Sequence, residues 1–115
     1  MKFKFNKNPR VFNVGVNNTI NIKDFGQIFL EQNEQVTFND SKGSEYDVCK
    51  KDWGYYATPS LNGRLAHFKF NSALVINKDT HRIYIMLVHQ NKEKEFLKYI
   101  DEENQKIIFW LHREK

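Results

Sequence analysis

Polar and apolar residues alternate along most of this chain with the two-residue period of a strand. Val11-Phe12-Asn13-Val14-Gly15-Val16 and Thr19-Ile20-Asn21-Ile22 read as two strands joined at Asn17-Asn18, a pair that tolerates the positive φ of a tight turn. Runs from Gln27 to Leu30 and from Gln35 to Phe38 follow, separated by polar Glu31 to Glu34. Asn39-Asp40-Ser41-Lys42-Gly43 has turn chemistry, and Glu45 to Cys49 returns as the second strand of a hairpin. On that strand Tyr46 and Val48 are expected to face inward, with Glu45, Asp47 and Cys49 on the solvated side.

The period changes once. Ala73 to Ile76 and Ile83 to Val88 are β-rich runs around Asn77-Lys78-Asp79-Thr80-His81, which predicts a hairpin. Asn91 then suits an N-cap, Glu93 and Glu95 suit the positive end of a helix, and Phe96, Leu97, Tyr99 and Ile100 recur at helical spacing. The prediction is a helix over 92–103 with Phe96 and Ile100 buried. Ile107-Ile108-Phe109-Trp110-Leu111 is too apolar for a tail and reads as a final strand. The expected fold is α+β: a mainly antiparallel curved β-sheet or small β-barrel, with one C-terminal α-helix and a final strand. Strands this aromatic leave apolar faces and edges that one helix covers only in part, so a homodimer is expected.

Length and composition bound this picture. At 115 residues, with 40% apolar and 15% aromatic side chains, the chain has material for one core. The expected organisation is therefore a basic N-terminal arm at residues 1–10 and a single β-rich domain over 11–115. No apolar run approaches the ~20 residues of a membrane-spanning helix, and no apolar stretch follows the basic start, so no membrane partner is expected and the cytoplasm is the expected location. Cys49 is the only cysteine, which excludes an internal disulfide and a cysteine-based zinc site.

The net charge of +4 is localised. Lys2, Lys4, Lys7 and Arg10 stand in the first ten residues without an acid, and beyond them bases and acids balance at 14 each. Only four of the 18 basic residues are arginine, the better fork for phosphate, which weakens a phosphate-binding surface.

Candidate chemistry concentrates between Lys51 and Leu65. Trp53, Tyr55 and Tyr56 offer apolar faces with hydrogen-bonding edges, and Arg64 offers a planar fork. Ser60 and Asn62 add short-range donors and acceptors, so these six are the candidate ligand-binding residues, suited to a small polar, sugar-like or anionic ligand or to a protein partner. The structural alternative has Trp53 and Tyr56 in the core, Thr58-Pro59 as a turn entry and Asn62-Gly63 as a type I′ hairpin turn.

Two resemblances attach to these residues. Glu34-Gln35-Val36-Thr37-Phe38, Ser44-Glu45-Tyr46-Asp47-Val48, Trp53 to Leu65 and Phe96-Leu97-Lys98-Tyr99-Ile100 together resemble a group of small uncharacterised bacterial proteins. Those proteins occur among enzymes of surface-polysaccharide and sugar-acid biosynthesis. The likeness covers roughly residues 25–111 and implies accessory work near glycan metabolism, with no catalytic residue to carry over. Lys51-Asp52-Trp53-Gly54-Tyr55-Tyr56 is similar to the first RNA-contacting motif of cold-shock domains, which implies single-stranded nucleic-acid binding. Asp52 stands where that motif has glycine, and no second aromatic-His-Phe motif follows, so nucleic acid is the less favoured partner.

Catalytic constellations are weaker. His67, His81, His89 and His112 fall at no metal-ligand spacing; His81 lies in a turn, and His89 and His112 close two strands. Glu45 and Asp47 as paired carboxylates, or Cys49 with His67 as base, are the remaining enzymatic options, each outweighed by a structural role. The expectation is a non-catalytic binding module with no metal, no cofactor and no catalytic residue.

Overall fold

In the computed structural model, which describes residues 1–114, the alternating runs become eight strands, accompanied by two α-helices and one 3₁₀ turn. The architecture is β-rich α+β, with antiparallel pairing of the first strand with the second, the fourth with the fifth, and the sixth with both the seventh and the eighth. The strands form three sheets and none closes, so the small barrel expected from alternation is not made. A barrel needs an unbroken ladder around its circumference. Here the strand hydrogen bonding stops between sheets, and the fifth strand has only four residues.

The chain divides into two compact units. The first comprises Met1–Phe38 and Asp47–Thr58, and the second Asn39–Tyr46 and the chain from Pro59 onward.

In the first unit, β1 (Lys2–Val14) and β2 (Ile20–Phe29) form a two-stranded antiparallel ribbon. The residues expected to form a basic arm, Lys2 to Arg10, lie in β1. The connecting turn closes through the Asn18 N–H donating to the Gly15 carbonyl at 3.1 Å, with positive φ at both residues. Between the pairs Phe5↔Gly26 and Arg10↔Asp24 the register shifts: Asn6 to Pro9 stand opposite Phe25 alone. Pro9 has no N–H to leave unpaired in such a bulge.

β3 (Gln35–Asn39), β4 (Glu45–Lys51) and β5 (Gly54–Ala57) form the second sheet in that order. Its burial reverses the expected pattern. Asp47 and Cys49 are buried, whereas Tyr46 and Val48 are only half-buried. An Asp tolerates this position because Gln35 Nε2 donates to its Oδ2 at 3.1 Å, replacing part of the lost hydration.

In the second unit, β6 (Phe70–Asn77) lies between β7 (Ile83–His89) and β8 (Gln105–His112), antiparallel to both. β7 and β8 are therefore parallel to each other with β6 inserted. A short α1 (Arg64–His67) precedes the sheet, and α2 (Glu93–Glu102) joins β7 to β8. The first helix was not expected: Asn62-Gly63 leads into it rather than turning a hairpin, as the Leu65 and Gly63 N–H groups fold back onto the Ser60 carbonyl. Asn91 is not the N-cap of α2; it sits inside the 3₁₀ turn Gln90–Lys92, and Lys92 occupies the cap position without a side-chain bond. The core is Ala73, Val75 and Ile100, with Met86, Phe96, Ile107 and Trp110 packed against it. Ile100 is buried as expected, while Phe96 is half-buried with its ring edge-on to Trp110 at 5.9 Å. Among the described residues no helix is long and apolar enough to cross a membrane.

Candidate functional site

The six residues singled out in the sequence are divided between the two units, three in each. Trp53 lies in the two-residue connection between β4 and β5, where Lys51 pairs with Gly54, and Tyr55 and Tyr56 follow on β5. All three are exposed, Trp53 at 69%, which rejects the reading of Trp53 and Tyr56 as core. Trp53 stacks on Tyr56 with ring centroids 6.0 Å apart. Tyr55, the next position on an extended strand, points to the opposite face, where Lys50 Nζ lies 5.1 Å from its ring. The aromatic wall is thus a pair on one side and a cation-topped tyrosine on the other. Ser60, Asn62 and Arg64 belong to the second unit. Ser60 accepts the turn into α1 through its carbonyl, and Arg64 opens that helix.

The other options fare as follows. Cys49 is buried and Asp47 is engaged by Gln35, so neither is presented to a substrate. Glu45 accepts from Asn39 Nδ2 at 3.4 Å. His81 sits in a turn with positive φ, and His112 closes β8 within 2.9 Å of Glu114. Among the described residues no group of three His, Cys, Asp or Glu side chains is placed to hold a metal ion.

A different place, contained in the second unit, is built as a site. A cleft of about 460 Å³ opens where the β6–β7 ladder ends, lined by Asp40, Lys42, Lys69, His89, Asn91 and Lys92 among others. Its walls are fixed by local chemistry. Asp40 folds the β3–β4 turn around itself: its Oδ1 accepts the N–H groups of Lys42 at 2.9 Å and Ser44 at 3.0 Å. Gly43, at φ +91°, supplies the left-handed residue that this turn requires. The other carboxylate oxygen, Oδ2, lies 3.3 Å from His89 Nε2. On the far wall Lys69 takes a positive φ after α1, and its carbonyl accepts the Gln90 N–H at 2.8 Å, which sets where the strand pair Phe70↔His89 begins. The Phe70 ring lies 4.3 Å from the His89 imidazole, so that ring is held by an anion on its edge and an aromatic on its face.

Charged groups of both signs line the cleft. The Asp40 carboxyl is held below its usual range, first by the Ser44 N–H, against the cost of partial desolvation, and further by the Lys42 N–H and the His89 charge. Lys42, Lys69 and Lys92 line the same space and outnumber this one carboxylate. Sequence reading missed this site because its members come from a turn, a helix end and a strand end. The one available signal was Asp40 inside a turn whose other positions are Asn, Ser, Lys and Gly.

Comparison with protein-family models, with curated proteins and with solved structures finds no match for this chain.

Proposed function

We propose that this protein is a non-catalytic binding module that takes a small anionic ligand, of the sugar-acid or sugar-phosphate class, in the cleft of its second unit. The observation that carries the reading is one cleft of about 460 Å³ lined by three lysines and an imidazole already oriented by Asp40. That volume falls within the usual range for small-molecule sites, and ammonium groups with imidazole and amide donors are the complement of a carboxylate or phosphate with neighbouring hydroxyls. Phe68 in the wall supplies an apolar surface for a ring face. The ligand class agrees with the accessory role in glycan metabolism that the sequence resemblance implies, and on this reading the protein works in the cytoplasm.

The test is calorimetric titration with glucuronate, glucose 1-phosphate, inorganic phosphate and neutral glucose. Binding of the anionic sugars, absent with glucose and weakened about tenfold or more by Lys69→Ala or Lys92→Ala, supports the reading. Equal heats from glucose and glucuronate, or full affinity in a Lys69→Ala, Lys92→Ala double variant, end it.

A second reading rests on the exposed Trp53–Tyr56 stack and the Lys50–Tyr55 contact on the β4–β5 hairpin, groups that suit the bases and backbone of a single-stranded nucleic acid. Titration of a labelled oligonucleotide should then quench Trp53 and weaken steeply with salt. Unchanged Trp53 emission excludes it.

A further inference from the structure

The register of the β1–β2 ribbon puts its apolar residues on one face despite their irregular spacing in sequence. Phe3 and Phe5 are odd-numbered and Phe12 and Val14 even-numbered, so a regular strand would send the two pairs to opposite sides. The bulge between Phe5 and Arg10 sets four residues of β1 against one of β2 and reverses the parity. One face then reads, row by row, Phe3/Ile28, Phe5/Gly26, Arg10/Asp24, Phe12/Ile22 and Val14/Ile20. Side-chain contacts agree: the Phe3 and Phe5 rings stack at 5.3 Å, and the Arg10 guanidinium lies 4.6 Å over the Phe12 ring. Two apolar rows flank each side of a single charged row, in which Arg10 donates to Asp24 at 3.0 Å.

This face is uncovered. Phe3 is 63% and Phe5 61% exposed, and Phe12, Val14, Ile22 and Ile28 are exposed as well. A two-stranded ribbon by itself is marginal in water, and a contiguous apolar stripe of this kind marks an association surface.

We infer that the face binds a second copy of this chain, across a two-fold axis running along the strands. The charged row selects both the partner and the axis. Rotation about an axis along the strands lays β1 of one chain over β2 of the other in the same row, so Arg10 meets the partner's Asp24 twice by symmetry. Rotation about an axis across the strands lays Arg10 over Arg10 and Asp24 over Asp24, which repels. In the favoured arrangement Phe3 meets Ile28, Phe12 meets Ile22 and Val14 meets Ile20, so each apolar row meets an apolar row.

Charge exchange tests this on the full chain. Wild type should sediment at twice 13.8 kDa at micromolar concentration. Arg10→Glu makes the central row doubly acidic and should give monomer; Asp24→Arg makes it doubly basic and should do the same. Mixing the two variants should restore a dimer containing one of each. That rescue is particular to a contact between chains, because within each variant the Arg10–Asp24 pair stays broken. Asp24 also accepts the Gly26 N–H, so Asp24→Arg is checked for folding by circular dichroism. Should it not fold, Phe12→Cys and Ile22→Cys chains are mixed and treated with a short bis-maleimide, whose reach suits the ~10 Å between face-packed sheets, and a cross-linked heterodimer is expected. A monomeric wild type at high micromolar concentration overturns the inference, as does a mixture of folded variants that stays monomeric, or cysteine variants that do not cross-link.

Discussion

Ile100 is the residue of α2 that is buried, and it closes on Ala73 and Val75 of β6. Ile100→Ala removes three carbons from that contact, about 2.4 kcal/mol at ~0.8 kcal/mol per carbon. The surrounding Met86, Phe96, Ile107 and Trp110 are only partly buried and relax into part of the gap, so the residual cavity adds about 0.5–1 kcal/mol. The expected loss is therefore about 3 kcal/mol, a large share of the stability of a unit this small. Trp110 reports the event, since its ring touches Phe96 on the same helix. In a Trp53→Phe background, which removes an exposed indole, urea unfolding followed by Trp110 fluorescence should show a midpoint lowered by about 2 M at a slope of ~1.5 kcal/mol per M. A shift below about 0.3 M would mean that α2 is not anchored by this side chain, and the account of the core would fail.

Gly26→Ala should loosen the ribbon, because a Cβ there would collide with the Lys4 carbonyl oxygen at φ +154°; amide exchange at residues 2–5 should speed about tenfold or more, and unchanged protection refutes the close approach. Cys49 is buried, so a thiol reagent should modify it slowly in buffer and at once in urea; equal rates contradict its placement. The Asp24 carboxyl is held below its usual range by the Gly26 N–H and then Arg10, and the Asp40 carboxyl by the Ser44 N–H first. Their contribution is complete above the ordinary carboxylate value of 3.8 and is lost as pH falls through the lower folded value. Asp24→Asn and Asp40→Asn should accordingly be less stable than wild type near neutrality and converge with it in acid denaturation below about pH 3; a constant gap down to the lowest pH refutes the assignment.

The sequence was most legible where one local rule decides. Asn77 to His81 closes a hairpin, Ile107 to Leu111 is a strand, and Ile100 is buried, because turn chemistry and apolar spacing act over a few residues. It misled where a longer-range partner overrides the local rule. Asp47 reads as solvated until Gln35, twelve positions earlier, is brought beside it. Lys2 to Arg10 reads as an arm from its uncompensated positive charge, and the bulge that carries it into one strand with Val11 to Val14 depends on the register with β2. Asn62-Gly63 has hairpin chemistry, yet Leu65 is buried at 1% exposure and draws the chain into a helical turn instead. As for the site, exposed Trp53 and Tyr56 were legible as amphipathic rings, whereas the lysine-lined cleft required the tertiary meeting of Asp40 with His89.

The position of β6 between β7 and β8 has a consequence for synthesis on the ribosome. The β6–β7 hairpin closes across a short connection and can zip as soon as His89 has emerged, at little loop entropy. The other edge of β6 must wait for a strand that pairs with it from Asn77↔Gln105 to Ser72↔His112, after the whole of α2 has been made. Until then Ala73 and Val75 lack part of their cover, and a row of backbone donors and acceptors stands open to any passing strand. For the nascent chain, the interval between His89 and His112 is the period of greatest exposure to mispairing, and slowing translation there should lengthen it.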